Sequence, residues 1–427
     1  MISSDLERAA SSLSQPDPTT LTKEDLDASS NAPDGGLRAW LAAAGGSCVF
    51  FAALGFANAF GVFEEYYLSH QLIGKSADDV AWIGSLASCL QFAAGAIGGP
   101  LFDRYGAWVI RPAAVLYIFA IMMTSLCKEY WQFILAQGIL MGSAMGLIQF
   151  PAMAAVTQYF DKKRAAALGA VVAGSSIGGV VMPIALSKML NSTTLGFGWS
   201  VRIIGFMLIP ILAFSCITVT AHLPPRKSAF FMAAPFKNVK FCLITAAMFF
   251  MFIGMFSPLF YLPTYAVSRG MDVTLASYLL SILNAASTFG RVIPGILADK
   301  FGRLNIFVIG GFATGIVIFC FDQAKSTAAL VVYSIAVGFT SGTIISGGSA
   351  ALTICIGNPQ EIGTYLGAAM GFASFAALIG PPVNGAMVNH YHGFAEMSYF
   401  SGAVSIVGGL FGLAAKAMTP QGIFGRT

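Results

Sequence analysis

The stretch GPLFDRYGA (residues 99–107) recurs in outline as GILADKFGR (residues 295–303). Both have the form G-x-L-x-D-[RK]-x-G, and each sits between two apolar runs. At an offset of 196, Gly99, Leu101, Asp103 and Gly106 fall on Gly295, Leu297, Asp299 and Gly302, while Gly142 and Gly146 fall on Gly338 and Gly342. At an offset of 198, LGA at Leu168 falls on LGA at Leu366, and Pro183 on Pro381. Several agreements in nearly one register predict an internal duplication.

The composition says what is duplicated. The 427 residues are 56% hydrophobic and only 10% charged, against about 25% charged in soluble domains. Too few charges exist to cover a soluble surface of this size, which predicts an all-α membrane protein. A membrane helix needs about 20 apolar residues to cross a hydrocarbon core of about 30 Å. Twelve runs qualify: 39–63, 80–101, 107–127, 131–157, 165–190 and 199–222, then 239–267, 275–298, 305–321, 328–356, 363–388 and 397–417. The expected organisation is a disordered cytoplasmic tail (1–36), a six-helix half (37–222), a cytoplasmic linker (223–238), a second six-helix half (239–418) and a short tail (419–427). The tail is rich in Ser, Asp, Pro and Thr without apolar periodicity, and it lacks the pattern of a secretory signal.

Basic residues favour cytoplasmic loops. With both termini inside, 16 of the 23 Lys and Arg residues fall on the inner side and six on the outer, with Arg291 inside a span. The linker stretch LPPRKSAFFMAAPFKNVK carries four of the inner charges. The triplet Asn191-Ser192-Thr193 then lies outside, as a glycosylation candidate. The expected location is the plasma membrane, with a vacuolar or other internal membrane as the alternative. The seven cysteines show neither metal nor disulfide spacing, so no metal and no cofactor is expected.

Two six-helix halves related by an axis along the membrane normal are a transporter design, with substrate bound near the midplane and rocking of the halves giving alternating access. The repeated knuckles then become gating candidates: Gly99, Asp103, Arg104 and Gly106, with Gly295, Asp299, Lys300, Gly302 and Arg303. A carboxylate at such a short inner loop can cap a helix N-terminus or pair with an arginine.

An ionisable residue inside a span is costly and is a functional candidate. Arg291 precedes Asp299 by eight residues, or about 12 Å of helix. Asn284, Ser287 and Thr288 share its helical face. Asn58, Gln149, Ser175, Ser176 and Asn384 are further isolated polar groups within spans, each able to serve either substrate or an interhelical hydrogen bond.

The paired knuckles on twelve spans resemble the major facilitator superfamily. Two stretches narrow the resemblance. DGGLRAW, with Asp34, Gly35, Gly36 and Trp40, enters the first span; YFDKKRAAALGAVVAG, with Tyr159, Phe160, Lys162, Lys163, Arg164, Gly169 and Gly174, enters the fifth. Both are similar to signatures of the monocarboxylate transporter family, in particular its fungal members, although the first is one residue longer than the animal form. The resemblance covers residues 34–418. It implies a secondary transporter of a small organic anion, with Arg291 binding a substrate carboxylate; a guanidinium fork suits that task. Animal members that couple transport to protons carry an Asp where Ser287 stands and a Lys where Val62 stands. Their proton-coupling residues are therefore absent here, which suggests a larger or more apolar anion than lactate. Protons remain possible partners. Uptake of a carboxylate and efflux of a fungal secondary metabolite fit the same residues.

Other classes fit less well. GKS at Gly74–Ser76 lacks the phosphate-loop glycine, Ser69 standing in its place, and there is no room for a nucleotide domain. His390 and His392 are too few for a metal site. The net charge of +4 is spread over inner loops, which argues against nucleic acid. A nutrient sensor built on a transporter fold is the remaining alternative class, and it would bring a longer tail. An enzyme is not expected.

Overall fold

The computed structural model describes residues 32–191, 194–226, 234–423 and 425–426. Every regular element among them is helical. The predicted tail lies outside this set except for residues 32–36; so do linker residues 227–233 and two residues of the glycosylation triplet, whose Asn191 is exposed at a helix end.

Among the described residues, twelve helical segments cross the bundle. In the first half these are α1 (Leu37–Gln71), α2 (Ala77–Ala93 continued by Gly95–Tyr105), α3 (Ile110–Thr124), α4 (Tyr130–Tyr159), α5 (Arg164–Asn191) and α6 (Gly196–Thr218). In the second half they are α7 (Val239–Ser268), α8 (Val273–Phe301), α9 (Arg303–Phe319), α10 (Thr327–Leu352), α11 (Ile362–Tyr391) and α12 (Ala395–Ala417). The apolar runs understate two of them. Helix α1 carries Glu64 and Glu65 and continues to Gln71, and α2 runs to Tyr105 before the turn.

Sequence explains the local boundaries. Ser76 and Asp79 form a reciprocal capping box at the start of α2, which satisfies two otherwise unpaired donors. Ser326 caps α10 in the same manner with one bond. Gly106 ends α2 at φ +68° and Gly302 ends α8 at φ +105°. Only glycine adopts these values without strain, so the last glycine of each knuckle is the residue that reverses the chain. Helix α1 is broken at Asn58 and Ala59, between segments Leu54–Ala57 and Phe60–Tyr66.

Helix neighbours recur at an interval of six. In the first half α1 packs on α5 and α6, α4 on α2 and α3, and α3 on α6; in the second half α7 packs on α11 and α12, α10 on α8 and α9, and α9 on α12. The main seams between the halves are α2 with α11 and α5 with α8. Each is the counterpart of the other under the same interval.

These seams are backbone-to-backbone. A Cβ at Gly99 would overlap the carbonyl of Gly363, and one at Gly367 would overlap that of Gly95. Across the other seam, a Cβ at Gly169 would overlap the carbonyl of Arg291, and one at Gly295 would sit 2.7 Å from the carbonyl oxygen of Ala165. Small residues let membrane helices approach this closely.

Candidate substrate site and inner gate

Each seam ends at a knuckle carboxylate that caps a helix of the other half. Asp103, at the end of α2, is 2% exposed. Its oxygens accept the N–H of Gly363 at 2.9 Å, the N–H of Thr364 at 2.6 Å and the hydroxyl of Thr364 at 2.6 Å. These donors belong to the first turn of α11, whose N–H groups lack partners within the helix. Asp299, at the end of α8, accepts the N–H of Ala165 at 3.1 Å and of Ala166 at 2.9 Å in the first turn of α5. A negative charge there also meets the positive end of the helix dipole.

Arg303 reinforces the second cap. It pairs with Asp299 at 3.5 Å, donates to the Thr353 hydroxyl at 3.4 Å and donates to the carbonyl of Asp161. The two cations that follow the knuckle carboxylates do not share in this. Arg104 and Lys300 are exposed, neither has an ion pair among the described residues, and Arg104 lies 5.9 Å from the Tyr105 ring centre. A side chain one residue after Asp103 or Asp299 points about 100° around the helix, away from the seam.

The two signature stretches meet at the same end. One oxygen of Asp34 accepts the N–H of Asp161 at 2.6 Å, of Lys162 at 2.8 Å and of Lys163 at 3.4 Å. The N–H of Asp34 donates to the carbonyl of Tyr159 at 3.0 Å. Trp40 stacks edge-on against Phe160 with centroids 5.2 Å apart. Gly35 and Gly36 carry the chain from this knot into α1, and the Tyr159 hydroxyl bonds Thr220 at 2.7 Å. Arg164 holds Asp161 at 3.3 Å, whereas the side chains of Lys162 and Lys163 are exposed. Further along α5, a Cβ at Gly174 would overlap the carbonyl of Ser47 in α1.

Behind the seams lies a cavity with about 620 Å³ of empty volume, counting its open part. Both halves line it. Phe50, Leu54, Asn58, Phe92, Gln149, Phe150, Met153 and Val172 come from the first; Phe252, Met255, Phe256, Leu259, Asn284, Arg291, Ile345, Ser349 and Met370 come from the second. Phe92 and Phe252 meet across the halves with centroids 5.9 Å apart. Arg291 is the only charged residue of this lining and is 4% exposed.

No carboxylate lies within ion-pair distance of Arg291 among the described residues. One terminal nitrogen donates to the carbonyl of Val172 at 2.8 Å and to the hydroxyl of Ser175, both on α5 of the other half. The Nε has no hydrogen-bond partner. A buried guanidinium with spare donors at a largely apolar wall is suited to an anionic or strongly accepting group.

The sequence-derived candidates divide. Arg291, Asn284, Asn58 and Gln149 line the cavity. Ser175 does not, but touches Arg291 from behind. Ser287 is turned onto α10, where a Cβ at Gly342 would lie 3.0 Å from its hydroxyl. Sharing a helical face with Arg291 to within one turn was too coarse to separate cavity from seam. Asn384 is also outside the lining. It donates to Ser257 at 2.6 Å and accepts from Ser401 at 3.0 Å, closing a buried triad among α7, α11 and α12. Sequence reasoning passed over Gln91, which donates to Gln149 at 2.7 Å. It also passed over the Phe and Met wall, because in a span an apolar residue toward a cavity reads like one toward lipid.

A family profile described as Major Facilitator Superfamily matches residues 45–321 and 285–422. The chain is 49% identical over 390 residues to the Aspyridones efflux protein apdF of Emericella nidulans, covering 91% of this chain and 80% of that one. It is 38% identical over 418 residues to the Agnestins efflux protein AgnL12 of Paecilomyces divaricatus, covering 96% and 94%. Among solved structures, the human organic anion transporter MFSD10 (TETRAN) superposes with TM-score 0.69 at 14% identity, covering 88% of this chain and 98% of that one. FucP in its outward conformation superposes with TM-score 0.67 at 14% identity, covering 87% and 97%. The fold and the duplicated seams define a multi-pass membrane transporter of the twelve-helix type. The chain belongs to the major facilitator superfamily.

Proposed function

We propose that this protein exports a bulky, largely apolar organic metabolite bearing one anionic group, by alternating access. The observation that carries this reading is the cavity itself. Arg291 stands alone as a charge in a wall of Phe and Met side chains from both halves. Such a wall offers large apolar area to a ring-bearing substrate and little to lactate. Met side chains adapt to varied shapes, which suits a metabolite carrier.

The relatives support export over uptake, since two of them are named as efflux proteins. The expectation of a carboxylate transporter survives only in the choice of an anionic group at Arg291, which the resemblance to monocarboxylate porters supports. The plasma membrane is the natural site for export.

Metabolite profiling of a deletion strain tests this reading. The expected result is a compound that accumulates inside cells and falls in the medium, restored by the wild-type gene but not by Arg291→Ala. Full restoration by Arg291→Ala would remove Arg291 from the site. Normal secretion with failure to grow on an organic acid would reverse the direction.

A further inference from the structure

The single cation of the cavity is also a contact between the halves. Arg291 lies on α8 and lines the cavity, yet among the described residues its hydrogen bonds run to Val172 and Ser175 on α5. It stands about 12 Å along the helix from Asp299, between the cavity and the capped inner end of the same seam. The Ser175 hydroxyl also donates to the Val172 carbonyl at 2.8 Å, so hydroxyl and carbonyl form one acceptor site. Around it the helices touch through backbone, as at Gly169 and Gly295, and no carboxylate of α8 shares the guanidinium.

We infer that Arg291 is a latch whose α5 contact competes with the substrate, with Ser175 as the positioning residue that holds the latched state. This rests on the proposed anion site and deepens it. Either fork of the guanidinium includes the terminal nitrogen bound to α5 or the buried Nε, so gripping an anion in the cavity with two donors requires the side chain to turn from α5. Capturing the anion therefore weakens the seam just where it must part for the inner end to open. By linkage, whatever weakens the α5 contact must strengthen anion binding by up to the same factor, reached when the latched state dominates. Ser175 thus acts through Arg291 rather than on the substrate.

Two measurements on the full chain in lipid nanodiscs test the latch. The first uses no ligand. Spin labels at Lys162→Cys and Lys300→Cys, exposed positions on the two halves, are introduced after replacing the seven native cysteines, and their distance distribution is recorded. Ser175→Ala should raise the longer-distance, inner-open population by about threefold relative to the shorter, the scale of one hydrogen bond. The second uses 1-naphthoate as probe, an aromatic ring bearing a carboxylate, with 1-naphthamide as its uncharged counterpart. Naphthoate should bind Ser175→Ala about threefold more tightly than the unsubstituted chain, with the amide insensitive to the change. Equal or weaker naphthoate binding overturns the latch, since a substrate ligand would lose affinity and a merely structural serine would leave it unchanged. An unaltered distance distribution overturns it as well. If naphthoate fails to bind the unsubstituted chain, the proposed anion class falls, and the ligand-free distances alone decide the latch.

Discussion

Asp103 and Thr364 belong to opposite halves of the protein, and the Asp103 carboxylate accepts both the N–H and the hydroxyl of Thr364 at 2.6 Å. One loop therefore holds the first turn of a helix of the other half, a contact that the proposed alternating access breaks when the inner end opens. Asp299 does the same to Ala165 and Ala166. In the proposed mechanism the inner gate is these two helix caps, each supplied from the other half. Its strength comes from backbone donors that are unpaired in any isolated helix, and its reversibility from the water that replaces the carboxylate on opening.

Asp103→Ala should weaken the closed inner end without unfolding either half. The substitution leaves the donors of Gly363 and Thr364 without the acceptor they have now, a cost of about 1–3 kcal/mol to the closed state. A cysteine placed at Met370, in the cavity lining, reports the outcome in a background free of native cysteines. An impermeant maleimide applied to inside-out vesicles should label it several-fold faster in Asp103→Ala. An unchanged rate would show that the cap does not govern inner access.

Gly99→Val should obstruct closure instead. The added atoms meet the Gly363 carbonyl across the seam, and backbone at that position cannot step aside as a flexible side chain would. The variant should elute from size exclusion like the unsubstituted chain, because the packing within each half is untouched. Metabolite export should fall by more than tenfold. Retained export would mean that the seam has room the structure does not show.

Much of this was legible before any coordinates. The knuckles were visible because a loop that must turn sharply and cap a helix needs Gly and Asp at fixed places, and the duplication wrote that need twice. Arg291 was visible because charge in a span is rare. The contact between Asp34 and the turn at Lys162 was not visible, although both stretches were. Its partners are backbone N–H groups, which carry no sequence signal of their own. The same holds for Val172, which bonds Arg291 through a carbonyl. The direction of each polar side chain was equally hidden. Asn284 and Asn384 sit in similar apolar surroundings in the sequence, and only packing shows that one faces the cavity and the other a serine pair.

Asp34→Ala should lower thermal stability. It removes the acceptor of three N–H groups at the entry to α5, next to the cap made by Asp299. A loss of about 1–3 kcal/mol follows from the unpaired donors, read as a drop of several degrees in the melting temperature of the detergent-solubilised protein. Asp34→Asn keeps one acceptor oxygen and should recover part of the loss. Equal melting temperatures for all three proteins would show that the knot contributes nothing to stability.

The two asparagines give the sharpest contrast between packing and recognition. Asn384 is fully buried in its triad. Asn384→Leu leaves Ser257 and Ser401 with only each other and adds branched bulk to a filled site, which should destabilise the protein by about 2 kcal/mol or more. The spectrum of exported compounds should stay the same in whatever protein folds. Asn284 lines the cavity one side of Arg291, and among the described residues its amide donates only to the carbonyl of Leu280 one turn back. Asn284→Leu should leave the melting temperature within a degree or two and shift export toward more apolar compounds, because a polar group of the wall is gone. Comparing melting curves with the profile of secreted metabolites separates the pair. A changed profile in Asn384→Leu, or an unchanged one in Asn284→Leu, would overturn the assignment of these residues to triad and cavity roles.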